Sequence, residues 1–313
     1  MSQIVHPGAQ SKAGRRKSVL QPQREGRWSF WIFIFLPFSV FVAFVLWPTI
    51  NLFYLSLNQW KGMGAKKFVG LENFIDIFTD DKFWIAIRHN FLWAIAVLFG
   101  TTLLGLILAL LLTRTRAWGR GIFRVVLFLP QMVSSVVVAI IWRWIYYPQS
   151  GPLNVLLRMI GLESFQRNWL GESHTTLPAL FIAYSWIAYG FSMLVFLAAI
   201  DSVDQELFDA AKIDGASWLG EIWYILMPVI RQAARTVFIM MGIWSFQVFD
   251  IIWLTTRGGP GYSSIVMALL IYRNTFVESR VGIGAAMATI LSVVVLALAL
   301  ITMNREKEEA EQS

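Results

Sequence analysis

The sequence predicts an all-α integral membrane protein with six transmembrane helices. Apolar residues make up 57% of the chain and charged residues 14%, against roughly 45–50% and about 25% in a soluble globular domain. The apolar residues gather into six runs, each near the ~20 residues that a helix rising about 1.5 Å per residue needs to cross about 30 Å of hydrocarbon. Many of the cations flank those runs instead of interrupting them.

Taken in order, residues 1–27 carry Lys12, Arg15, Arg16, Lys17, Arg24 and Arg27 among Gln, Ser and Gly. They hold too few large apolar residues to fold alone and read as a disordered basic cytoplasmic tail. The run 28–57 is too long for the apolar region of a cleaved signal and has no small-residue cleavage site after it. It is expected to remain as the first helix, kinked or bounded by Pro37 and Pro48. Five further runs lie at 90–112, 123–146, 177–199, 229–255 and 281–303. Residues 28–304 are thus the transmembrane domain, and 305–313, where Glu alternates with Arg and Lys, a solvated cytoplasmic tail.

An even number of crossings puts both termini on one side. The tail's cations, with Arg114, Arg116, Arg120 and Arg124 at the short second loop, place that side in the cytoplasm. Segments 58–89, 147–176 and 256–280 then face outward. Lys61, Lys66, Lys67, Lys82 and Arg88 run against the rule, with Glu72, Asp76, Asp80 and Asp81 among them. Trp28, Trp47, Trp142, Trp144 and Trp253 fall near span ends, where an amphipathic ring favours the headgroup layer. No internal repeat argues for an inverted-repeat carrier.

The sequence contains no Cys, which removes disulfides, thiolate-bound zinc, iron–sulfur sites and thiol nucleophiles. His6, His89 and His174 stand far apart and no H-E-x-x-H spacing exists. No catalytic residue and no metal site follows. The formal charge of +7 is accounted for by membrane orientation, so the expected partner is the lipid bilayer and not nucleic acid.

One polar segment stands out, residues 201–230, on the cytoplasmic side. Ser202 with Gln205 makes a capping box, a helix should run to about Ile213, and Gly215 sits where a C-terminal cap needs a left-handed backbone. Ser217 can open the next helix, with Pro228 leading into the fifth span. Leu207, Ala210 and Ala211 form a small apolar face. Residues 201–221 hold Asp201, Asp204, Glu206, Asp209, Asp214 and Glu221 against Lys212 alone. An anionic leaflet repels such a helix, so protein docking fits better than a membrane-surface helix.

That segment resembles the EAA loop of permease subunits in binding-protein-dependent ABC importers. The pattern E-A-A, two residues, D-G-A, then an apolar stretch ending in L-P appears as Asp209, Ala210, Ala211, Asp214, Gly215, Ala216, Met227 and Pro228, with Asp for the leading Glu and Met for the final Leu. Thr256-Arg257-Gly258-Gly259-Pro260 is similar to the T-x-G-G-P of the carbohydrate branch, which holds the larger maltose and the glycerol-3-phosphate permease subunits. Leu129 with Pro130, Trp142 to Trp144, and Gly282, Gly284, Ala285, Ala286 and Met287 agree with it. The resemblance covers about residues 30–303.

The resemblance implies the six-helix ABC importer permease fold with a cytoplasmic coupling helix, set in a bacterial or archaeal cell (inner) membrane. It implies a dimer of ATP-binding subunits, a second permease subunit in a heterodimer, an extracytoplasmic solute-binding protein and a carbohydrate substrate. The chain has no G-x-x-x-x-G-K-[ST] loop, so ATP and Mg belong to the partner ATPase and no cofactor to this chain. Coupling falls to Asp209, Ala210, Ala211, Asp214 and Gly215, with Asp209 facing a basic residue of the ATPase.

Polar and aromatic residues inside spans three to five are the candidates for the solute path, because such groups in hydrocarbon face a cavity or a bundle interior. Gln131, Tyr189, Phe191, Trp244, Ser245, Gln247 and Asp250 form the set, with Ser185 and Trp186 beside them. By motif alignment Gln131, Phe191, Trp244 and Ser245 fall on positions that line the maltose-type sugar site. The same residue types also mediate ordinary helix packing, and Asp250 could pair with Arg257 at the rim. A secondary carrier would show several ionisable residues within its spans, and an intramembrane enzyme a nucleophile with its base or a metal set. Neither pattern is present.

Overall fold

The computed structural model describes residues 26–114 and 120–310. The basic tail over residues 1–25, Arg116 of the second loop and residues 311–313 lie outside the described residues. Two compact units divide the chain, residues 1–50 and 51–313. The first is helical throughout its described part.

The helices are α1, whose spanning part is Phe33–Ser56, α2 (Glu72–Thr79), α3 (Asp81–Thr113) and α4 (Gly121–Met132). They continue with α5 (Ser135–Ile145), α6 (Pro152–Met159), α7 (Ser173–Asp201) and α8 (Gln205–Ile213). The last are α9 (Trp218–Phe246), α10 (Asp250–Thr255), α11 (Met267–Tyr272) and α12 (Val281–Ala310). A two-residue antiparallel pair, β1 (Asn58–Gln59) with β2 (Lys67–Phe68), follows α1. Helices α1, α3, α7, α9 and α12 are long and apolar enough to cross a membrane, and α4 with α5 makes a sixth crossing if that bent pair is one span.

The third apolar run does not form one straight helix. Pro130 lies in a 3-10 turn at the end of α4, where its missing N–H breaks the ladder. Val133 and Ser134 are extended, with ψ of 134° and 147°, and α5 departs at 97° to α4. The fifth run is also displaced. Its helix begins at Trp218 and stops at Phe246, a break follows at residues 247–249, and α10 is a separate short helix.

Pro37 and Pro48, expected to kink or bound the first helix, lie inside it, and Pro228, expected to lead into the fifth span, lies inside α9. A π-helical stretch at Val42–Leu46 ends two residues before Pro48, and another at Glu221–Leu226 ends two residues before Pro228. The wider turn relieves the clash between each proline ring and the carbonyl four residues back, and tolerates the absent N–H. Helix α3 starts earlier than the apolar run, at Asp81, because the Asp80 carboxylate accepts the Lys82 N–H at 2.9 Å and caps it. The backbone of α12 continues as helix past residue 304 to Ala310.

In the second unit α3 and α7 pack through small residues. A Cβ on Gly105 would lie 2.5 Å from the Ser192 Cβ, and the Thr101 and Ser185 hydroxyls meet at 3.2 Å. Trp93, Phe196, Met241 and Leu269 are among the largest fully buried side chains. At the start of α12, Gly282 lies against the Asn58 carbonyl and Gly284 against the Thr275 hydroxyl, which is the packing reason for both glycines.

Candidate functional site

Two regions carry the sequence-predicted residues: the loop between α7 and α9, and the paired helix breaks within the bundle. In the loop, Ser202 does not open α8. Helix α7 runs on through Asp201, so Ser202 is its last cap and donates its hydroxyl to the Ala199 carbonyl at 2.7 Å. Asp204 holds the N-cap position of α8 without a side-chain hydrogen bond.

The far end of α8 follows the expected chemistry. Gly215 has φ +78°, its N–H donates to the Lys212 carbonyl at 3.1 Å, and the Ala216 N–H reaches back to Ala211 at 2.9 Å. This is a Schellman closure, which needs the left-handed residue that glycine supplies without strain. The Ser217 hydroxyl accepts the Gly220 N–H at 3.3 Å and opens α9.

Within α8, Phe208 and Ala211 are half-buried, while Leu207, Asp209, Ala210 and Lys212 are exposed, as is Asp214 beyond it. Helix α8 thus rests on the π-helical start of α9 through one side and leaves Leu207 and Ala210 outward. Asp209 already has a partner in its own helix: Lys212 Nζ lies 3.4 Å from its carboxylate. Sequence reasoning missed a neighbouring pair, Arg124 with Asp201 at 3.9 Å, which ties the start of α4 to the end of α7. The cation at the short loop and the first acid of the polar segment were its signal.

Inside the bundle the helices that follow the breaks in the third and fifth runs pack together, with α5 against both α10 and α7. Gln131, in the last turn of α4, sits against Gly190 of α7. A Cβ on Gly190 would be 3.2 Å from both the Gln131 Cβ and the Phe128 ring. The Gln131 Oε1 atom is buried and has no hydrogen-bond partner. Across the α7–α9 contact the rings of Phe191 and Trp244 meet with centroids 4.9 Å apart. Tyr189 is buried beside them in sequence, and Trp244 is 36% exposed.

Three candidates stand differently. Ser245 is fully buried and donates its hydroxyl to the Gly242 carbonyl of its own helix at 2.6 Å. Gln247 caps the end of α9 and is exposed. Asp250 opens α10, also exposed, where a carboxylate suits the positive end of the helix. No ion pair joins Asp250 to Arg257, whose guanidinium lies over the Trp253 ring at 5.5 Å. Trp253, expected as an interfacial anchor, stacks on Phe249 and packs on Tyr272.

The Thr256–Pro260 stretch is held by Ser264, which sequence reasoning passed over. Thr256 and Ser264 hydroxyls meet at 2.8 Å, and Ser264 donates to the Gly259 carbonyl at 2.8 Å. Just beyond it, His89 Nδ1 lies 2.9 Å from the Ile265 carbonyl and the Met267 N–H donates to Asn90 Oδ1 at 2.7 Å. A polar pair at the head of an apolar run was the available signal. A cavity of about 290 Å³ lies elsewhere, between α3, α9 and α12, lined by apolar residues such as Phe91, Leu98, Phe238 and Leu298. It offers nothing for hydroxyls to bond. Among the described residues no three His, Asp or Glu side chains cluster as metal ligands.

Residues 101–305 match a family described as binding-protein-dependent transport system inner membrane component. A probable ABC transporter permease protein of Pyrococcus horikoshii is 35% identical over 271 residues, 86% of this chain and 92% of that one. The diacetylchitobiose uptake system permease protein of Streptomyces coelicolor is 33% identical over 281 residues, 86% of this chain and 80% of the relative. In fold, the chain is similar to one in a bacterial ABC transporter involved in importing the acidic polysaccharide alginate. There the TM-score is 0.80 at 24% identity, covering 91% of this chain and 96% of the other.

Proposed function

The chain belongs to the family of inner-membrane components of binding-protein-dependent transport systems, and from that premise we propose that it is half of the translocation path of an ATP-driven carbohydrate importer. The observation that carries the reading is the exposed α8 and the Gly215 turn that closes its C-terminal end. A short helix closed by a Schellman turn and set on the start of α9 transmits a push along that helix without unwinding. Leu207 and Ala210 are its outward contacts, and Asp209, Ala211, Asp214 and Gly215 hold its shape.

ATP and Mg are bound by a dimer of partner ATPase subunits that seat α8. A second permease completes the path, and a solute-binding protein delivers the solute on the opposite face. The termini are then cytoplasmic and the membrane is the inner one. Residues 1–27 and 305–313 serve as tails of the domain at 28–304.

A carbohydrate is favoured by the diacetylchitobiose relative and by the chemistry at the helix breaks. Sugar rings offer apolar faces for Trp244 and Phe191 and hydroxyl donors for the unpartnered Gln131 oxygen. Tyr189, Gln247 and Asp250 belong to the same path, and Ser245 shapes it by packing. The test is reconstitution in proteoliposomes with the ATPase, the second permease and the solute-binding protein. ATP-dependent accumulation of a labelled oligosaccharide supports the reading. Uptake that needs no ATPase partner, or that accepts only amino acids, overturns it.

A further inference from the structure

We propose that α6 and the turn after it lie in the headgroup layer of the bilayer, on the membrane face opposite α8. This surface is separate from the solute path and from the coupling loop, and neither reading is needed for it.

The depth of α6 follows from how it is tied down. Tyr146, between α5 and α6, donates its hydroxyl to the Ala179 carbonyl of α7 at 2.9 Å. Helix α7 has 29 residues, so it is about 43 Å long against about 30 Å of hydrocarbon. If centred, it protrudes about 6–7 Å at each end, and Ala179 lies about 9 Å along it from Ser173. The Tyr146 bond is therefore held just inside the hydrocarbon boundary. Asn154 in α6 is buried and fixes the next stretch, donating to the Pro148 and Arg167 carbonyls at 2.9 Å each and accepting Trp169 Nε1 at 2.8 Å. These bonds hold α6 against the loops on either side of it, which leave the end of α5 and enter the start of α7.

The outward face of α6 is apolar. Val155, Leu156 and Met159 share one side at helical spacing, and Met159 is 79% exposed. Ile160 and Phe165 continue the exposed apolar surface through the Gly161 turn. On the other side Leu153 packs against the core and Leu157 is half-buried, so the outward stripe is surplus to the fold's own core. In water such a patch is unfavourable. At the membrane interface it inserts, and exposed Arg158 and Arg167 meet anionic phosphates at its edges. Exposed Trp144 and Tyr147 stand just before α6, as aromatic residues do at that level.

The test uses the assembled transporter in nanodiscs of phosphatidylethanolamine and phosphatidylglycerol. The chain has no Cys, so nitroxide labels at Met159→Cys or, separately, Leu156→Cys report on α6, with partner subunits freed of cysteine. A label at Lys61→Cys, exposed in the loop between β1 and β2, is the water reference. The labels on α6 should favour collision with oxygen over a water-soluble nickel chelate by about threefold or more relative to that reference. Nickel access equal to the Lys61 position overturns the proposal. So does shielding that arises only when the solute-binding protein is added, which would make the stripe a protein-docking face.

Discussion

The rings of Phe191 and Trp244 meet at 65° with centroids 4.9 Å apart, an edge-on contact that joins α7 to α9 three residues before the helix break at residues 247–249. Trp244 keeps 36% of its surface exposed while making that contact. One ring is thus held in place by its neighbour and still offers a face.

Trp244→Ala is expected to raise the solute concentration for half-maximal ATP-driven uptake about tenfold, equivalent to about 1.4 kcal/mol. Ser245→Ala should leave that concentration unchanged, because its hydroxyl is satisfied within α9. Uptake kinetics in proteoliposomes check both, and an equal effect of the two variants would place the serine in the path.

Gly215→Val should leave the chain inserted and assembled but abolish ATP-driven uptake. A β-branched residue resists φ of +78°, at about 1–2 kcal/mol or more of local strain, and the Schellman bonds open. Gly215→Asn, which tolerates the left-handed region, should retain most transport. Loss with both variants, or with neither, would mean that the turn conformation is not what matters.

Asn90→Leu should destabilise the chain by about 1–3 kcal/mol, since it leaves the buried Met267 N–H without its acceptor. Thermal unfolding of the purified transporter in detergent reads this out. An unchanged midpoint would show that the N–H finds another partner.

Gly190→Val should disturb the contact between α7 and the last turn of α4. Its Cβ alone would be 3.2 Å from Gln131 and Phe128, so overpacking of about 1–3 kcal/mol follows. Transport should fall by more than assembly does. Normal uptake by a well-expressed Gly190→Val variant would argue that Gln131 moves freely at no cost to the path.

Much of the local chemistry was legible in the residues themselves. The Gly215 cap, the Ser217 cap and the end of α8 at Ile213 follow from side-chain and backbone geometry within a few residues. The Ser202–Gln205 box was misplaced by the same kind of reasoning, because apolar periodicity does not mark where α7 gives up its last turn, and Ser202 caps that turn instead.

The sequence by itself determined that the chain crosses a membrane as helices, since hydrocarbon leaves the backbone no other way to bond, and it marked the acidic, capped loop as a place for contact. Tertiary structure alone decided that the third and fifth runs are broken and that the helices after the two breaks pack together, because apolar composition reads the same on either side of a bend. It also decided which polar residues are spent on packing. Ser245 and Gln131 are equally polar in sequence, yet one is satisfied by its own helix and the other is left buried with an unpaired oxygen, a difference set by which neighbours the fold brings within reach.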